Sequence, residues 1–215
     1  MATVVIIPGS FAKPTLYERL VQSLARDGIQ SEIVDLPSVG RKEGKAPATL
    51  SDDVDEIASV VEKILDEDKE VILLAHSYGG VPATQSLETL SQKARQSQGK
   101  KSGVTKIVYL AAVALPVGGS VLALLTAQDY LIIEASSPFV HSENHHPKKR
   151  SSWQENYHST RRLHTEINLQ YQFGMLEILK GMTNGNVGVH KIQSGHAPHI
   201  NHPDNLTKII RQIVD

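Results

Sequence analysis

The stretch VILLAHSYGG, residues 71–80, decides how the rest of the chain is read. Its first half is an apolar run with the length of a buried strand, too short for a helix. Its second half passes through His76, Ser77 and Tyr78 and then sets two glycines side by side. A strand that ends on a serine and turns at once into a helix strains the turn residue. Small neighbours must then let the backbones approach. Ala75-His76-Ser77-Tyr78-Gly79 fits the G-x-S-x-G pattern of a nucleophile elbow, with alanine in place of the first glycine. Such a turn lifts the Ser77 hydroxyl above the sheet. It also sets the Tyr78 backbone N–H at a helix start, where it stabilises an oxyanion. The competing reading is an ordinary strand-to-helix turn with an incidental serine.

The flanks decide between the two. TVVIIPG, residues 3–9, is a β-branched run closed by Pro8 and Gly9, and reads as a first strand. In residues 14–28, Pro14 suits a first helical turn, Leu16, Leu20 and Leu24 recur every four residues, and Gly28 suits a C-terminal cap. SEIVDLPS predicts a second strand and RKEGKAPA a loop. TLSDDVDEIASVVEKILDE has acids in its first turn and Val54, Ile57, Ala58, Val61, Ile64 and Leu65 on one face, an amphipathic helix. The elbow ends the third strand, residues 79–96 read as helical, and VTKIVYLAAVALP holds a fourth strand. Strand and helix alternate, and the strands are apolar throughout. That predicts an α/β fold: a mostly parallel sheet with helices on both faces.

From about Pro116 to His158 the rhythm breaks. VLALLTAQDYLIIEA predicts a helix, and SSPFVHSENHHPKKRSSWQEN is polar and irregular. Together they read as an insertion or cap at about 116–158 within a single domain, 1–215. NVGVHKIQSG is a last short strand. PDNLTKIIRQIV is a final amphipathic helix with Leu206, Ile209, Ile210 and Ile213 on one side.

An activated serine needs a base within reach. Of ten histidines, His196 in SGHAPHINHPD follows the last strand, at the sheet edge where the elbow stands. His199 and His202 read as surface or helix-cap residues. The PGS after the first strand, HSYGG at the elbow and GHAP at the histidine loop come in the order and spacing of one family. The chain resembles the α/β-hydrolase superfamily, in particular its small esterase-like members. The likeness is good over residues 1–118 and 186–215 and poor between them. It implies a second oxyanion N–H from the loop after the first strand, here Ser10 with Phe11 beside it, paired with that of Tyr78. Many relatives carry His-Gly where this chain has Pro8-Gly9. It implies the chain order Ser77, acid, His196. The family's aspartate follows the penultimate strand. The comparable stretch, STRRLHTEINLQYQ, holds Glu166 and no aspartate, with Asp129 and Glu134 as the next candidates.

Composition excludes other chemistries. The 215 residues are 40% hydrophobic and 21% charged with a net charge of −1, so no basic field invites nucleic acid or an anionic membrane. Without cysteine there is no disulfide, thiolate metal site or cysteine nucleophile. MATVVIIPGS lacks a basic leader and reads as a strand, not a signal peptide, so a soluble cytoplasmic protein is expected. His141, His145 and His146 lie in a polar run without a carboxylate frame and read as a solvated loop. No metal or cofactor is expected. Trp153 and Tyr157 suit either a substrate pocket or an anchor for the insertion. Nothing in the sequence specifies an oligomeric state.

The expected function is a serine hydrolase acting on an ester or related acyl bond of a small organic molecule. Resembling proteins occur in natural-product metabolism. Two alternatives share the fold: a hydroxynitrile-lyase-like lyase, and a ligand-binding protein with impaired catalysis.

Overall fold

Alternating side chains on short apolar strands build the sheet. In the computed structural model these are β1 (Thr3–Ile7), β2 (Ser31–Ile33), β3 (Val71–His76), β4 (Val104–Leu110), β5 (Leu131–Ser136) and β6 (Val187–Lys191). The structure describes residues 2–40, 44, 46–113, 131–136, 175–177, 179–181 and 183–215, with 131–136 as backbone. The order is β2-β1-β3-β4-β5-β6. Strands β1 to β4 run parallel, and β5 is antiparallel to both of its neighbours. The pairings Ile7↔Ala75 and His76↔Leu110 bring the ends of β1, β3 and β4 to one edge.

Successive strand residues point to opposite faces. Val5, Ile7, Leu73, Ala75, Ile107 and Tyr109 pack on one face against α2 (Leu50–Leu65) and α3 (Gly80–Leu90). Val4, Ile6, Ile72, Leu74, Val108 and Leu110 pack on the other against α1 (Glu18–Arg26) and the C-terminal helix Pro203–Val214. Both faces are covered, which is why the strands read as unbroken apolar runs.

The helix ends follow local chemistry. Thr49 caps α2 reciprocally with Asp52: its hydroxyl accepts from the Asp52 N–H at 3.3 Å, and the Asp52 carboxylate accepts from the Thr49 N–H at 2.6 Å. Such a cap contributes about 1 kcal/mol. The helix expected over 79–96 is two, α3 and α4 (Gln92–Ser97). They part at Ser91, whose extended backbone (φ −60°, ψ 151°) breaks the first and whose hydroxyl caps the second. In the first helical segment the inward residue is Tyr17, and Leu16 is exposed.

The main departure is β5. Residues 131–136 fall in the stretch expected as helix and insertion, yet LIIEAS lies in the sheet between β4 and β6. The β-branched pair Ile132 and Ile133 suits a pleated, enclosed position. The rest of that expected insertion, with His141, His145, His146, Trp153 and Tyr157, lies outside the described residues. Among the described residues no helix is long and apolar enough to cross a membrane.

Candidate active site

β3 carries the chain to the edge of the sheet and stops at His76. Ser77 follows with φ 52°, in the left-handed region that non-glycine residues avoid. A single 3-10 turn, Ser77–Gly79, then leads into α3. The strain is held in place by close packing. The Val113 N–H donates to the Ser77 carbonyl at 3.0 Å. A Cβ on Gly79 would stand 2.5 Å from the carbonyl oxygens of Ile7 and Pro8, and one on Gly80 would strike the Val113 carbonyl. The paired glycines are therefore set by backbone contact on both sides of the elbow.

The loop after β1 lies against the same point. A Cβ on Gly9 would stand 3.0 Å from both the His76 Nδ1 and the Ser77 Cβ. The Ala12 N–H donates to the Gly9 carbonyl at 3.2 Å, closing a turn over residues 9–12. Ser10 stands exposed in that turn, and Phe11 beside it has φ 61°. Tyr78 occupies the second position of the 3-10 turn after Ser77.

His196 arrives from the opposite direction, in the loop between β6 and the helical turn Pro198–Asn201. It is half-buried. Its carbonyl oxygen lies 2.9 Å from the His76 Nε2, and the two rings are 4.8 Å apart. The histidine loop thus meets the elbow at the residue just before the serine.

His199 differs from its expected surface position. It is 1% exposed, stacked on the Tyr17 ring at 4.2 Å and edge-on to His76 at 4.5 Å. The turn Pro198–Asn201 presents this residue inward, towards the first helical segment, and leaves His202 outside as expected. Tyr17 is fully buried, accepts the Gly9 N–H at 2.9 Å, and lies 2.7 Å from the His76 Nδ1.

Burial dominates the electrostatics. It pushes His76 well below its ordinary value, and the nearby His199 and His196 add to this against the bond to the His196 carbonyl. His199 falls to about 4, through burial first and His196 second. Burial also lowers His196. Each of these shifts favours the neutral ring. Burial raises the Tyr17 phenol against the opposing Gly9 N–H, and raises Tyr78 with help from Asp53.

Asp53 is joined to the elbow through the Tyr78 hydroxyl, a contact that the sequence did not reveal. Sequence reading takes it only as one of the acids of a first helical turn. It is 0% exposed. Its Oδ1 accepts from the Ser38 N–H at 2.9 Å, and its Oδ2 accepts from the Ser38 hydroxyl at 2.6 Å and the Tyr78 hydroxyl at 2.8 Å. The available signal was spacing: Asp53 stands four residues before Ile57, in line with the buried Val61 and Leu65.

Three carboxylates are candidates to partner His196. Glu166 and Asp129 lie outside the described residues. Glu134 lies within β5, opposite Val108 and Gly188 and inward of the Leu110↔Ile132 pair. Because β5 is antiparallel to β4, its first residue, Leu131, stands at the Ser77 edge, and its last, Ser136, stands at the far edge. Among the described residues no cluster of three or more His, Cys, Asp or Glu can hold a metal. Both nitrogens of His76 are already engaged.

A mostly parallel sheet with helices on both faces, its central strand ending in a strained serine turn, is the architecture of the α/β-hydrolase fold. Residues 4–172 match the model of the alpha/beta hydrolase family, and the chain belongs to that family. It is 27% identical over 246 aligned residues to "Probable hydrolase R7" of Phoma sp., across 98% of this chain and 97% of that one. Among solved structures, the pyrethroid hydrolase PytH shares the fold with a TM-score of 0.61 and 16% identity over 100% of this chain and 98% of that one. Tomato methylketone synthase I shares it with a TM-score of 0.60 and 14% identity over 99% of this chain and 97% of that one. The hydrolase character of the chain rests on its family membership and its similarity to this hydrolase relative.

Proposed function

We propose that the protein is a serine hydrolase that cleaves an ester or related acyl bond of a small organic molecule. One observation carries the reading: Ser77 is held at φ 52° just ahead of Gly79 and Gly80, whose missing side chains are required by neighbouring backbone. Strain kept at such a cost in packing points to function. In the proposed mechanism the Ser77 hydroxyl oxygen attacks the substrate carbonyl carbon while His196 takes the proton. The backbone N–H groups of Ser10 and Tyr78 hold the oxyanion. The intermediate collapses, the leaving alcohol takes the proton from His196, and the acyl group stays on Ser77. Water, deprotonated by His196, then releases the acid.

His196 needs a carboxylate to orient it and to stabilise its charged form. Glu166 is the acid that the family resemblance selects. The direction of β5 supports Asp129 as the rival, because it precedes Leu131 in sequence and Leu131 stands at the Ser77 edge. The proposed location is the cytoplasm, and the same resemblance makes natural-product metabolism the proposed setting.

An acyl-enzyme separates this reading from lyase chemistry on the same residues. With p-nitrophenyl acetate, a burst of p-nitrophenol and an acetyl adduct on the Ser77 peptide are expected. Turnover of the ester with no adduct and no burst would contradict the acyl-transfer route.

A further inference from the structure

We propose that Tyr17 and His76 are positioning residues: a one-way chain of hydrogen bonds through them fixes the His76 tautomer and ties the loop after β1 to the backbone of His196. The chain has four members. The Gly9 N–H meets the Tyr17 oxygen at 2.9 Å, that oxygen meets the His76 Nδ1 at 2.7 Å, and the His76 Nε2 meets the His196 carbonyl at 2.9 Å.

The two ends set every direction between them. A backbone N–H only donates, so Tyr17 accepts from Gly9. A carbonyl only accepts, so the His76 Nε2 carries a proton and donates it to His196. A neutral imidazole with its proton on Nε2 has a lone pair on Nδ1. The Tyr17 hydroxyl proton fills it. The opposite tautomer would set the Nε2 lone pair against the His196 carbonyl oxygen. It would also leave the proton of the fully buried Tyr17 with no acceptor among the described residues. A doubly protonated ring would strand that same proton. One arrangement alone satisfies all four groups.

The surroundings support it. Among the described residues the titratable groups that face His76 are Tyr17, His196 and His199, and none of these is an anion that would favour a charged ring. His199 stacks on Tyr17 and holds the phenol in the plane that the chain needs. Tyr17 lies 59 residues from His76, and His76 lies 120 from His196, so three distant segments meet through two side chains. His76, the variable second position of the elbow motif, is thereby more than a spacer in this chain.

The inference rests on the assignment of His196 as the base, and its test separates the two. Long-range 1H–15N correlation on 15N-histidine-labelled protein reads the tautomer without any substrate. At pH 7, His76 is expected as the neutral Nε2–H form, and Tyr17→Phe is expected to abolish that single pattern. Kinetically, folded Tyr17→Phe is expected to lose on the order of 10- to 100-fold in kcat with little change in KM, because the base and the oxyanion loop shift while substrate contacts stay. His76→Gln, which keeps an N–H donor towards His196, is expected to retain more activity than His76→Phe. Thermal unfolding of each variant identifies loss of fold. An Nδ1–H or charged His76 in the wild-type protein overturns the brace, as does a folded Tyr17→Phe with wild-type kcat. If instead the tautomer is as expected and Ser77→Ala still turns over esters, the brace stands and the hydrolase reading fails.

Discussion

The Tyr78 hydroxyl donates to the buried carboxylate of Asp53 at 2.8 Å, tying the residue after the elbow serine to α2. Asp53 accepts three hydrogen bonds and, among the described residues, makes no ion pair, so neutral donors alone stabilise the buried group. Removing it strands the Ser38 N–H, the Ser38 hydroxyl and the Tyr78 hydroxyl. Asp53→Ala is expected to cost on the order of 3 kcal/mol, read as a lower urea midpoint at an unchanged slope. A midpoint within error of wild type would show that Ser38 and Tyr78 find other partners.

The elbow glycines give a second outcome. Gly79→Ala places a methyl 2.5 Å from two carbonyl oxygens that belong to a packed strand end and cannot swing away. A loss of about 3 kcal/mol or failure to fold is expected, and the same holds for Gly80→Ala. Gly181→Ala is the control. Nothing lies within 4 Å of its added Cβ, and it occupies a helical position, so about 0.5 to 1 kcal/mol of stabilisation is expected. Equal effects at Gly79 and Gly181 would refute the packing account of the elbow.

Stability should fall in mild acid. His76, His196 and His199 have folded values below the unfolded value of about 6.5, so between the two the unfolded chain binds more protons. The contribution is complete above about pH 6.5 and is lost as pH falls from there, through about 4 for His199. Urea midpoints measured from pH 7.5 to 4.5 are expected to decline most steeply below about 6.5, and His199→Phe is expected to flatten that decline. A flat profile in the wild-type protein would mean that these rings are solvated.

The acid limb of activity identifies the triad carboxylate. Burial lowers His196, whereas a carboxylate at its Nδ1 raises it. Of Glu166→Gln and Asp129→Asn, one is expected to cut kcat by about 10⁴-fold and to move the acid limb of kcat/KM downward, and the other to do neither. No effect from either variant would mean that some other group orients His196.

The legible parts of this molecule were those with a local cause. β1, β3 and β4 announce themselves as apolar runs because both faces of the sheet are covered. The elbow is legible because Gly79 and Gly80 are needed within three residues of Ser77. The place of the His196 loop beside the elbow follows from chain order and a strand end. The misread parts depend on distant partners. Tyr17 and not Leu16 turns inward because its hydroxyl answers Gly9 and His76. His199 is buried because that same tyrosine offers a ring to stack on. Asp53 is at home in an apolar stripe only because Ser38 and Tyr78 supply its donors. β5 pairs with β4 and β6 across long stretches of chain, and no periodicity in LIIEAS reports its neighbours.

The most direct test of the account is the ester kcat/KM of Ser77→Ala, measured on protein whose thermal unfolding matches wild type. A loss on the order of a thousandfold or more is expected, since the nucleophile is gone and only binding and the oxyanion donors remain. Turnover undiminished by the substitution would contradict the claim that Ser77 is the catalytic nucleophile.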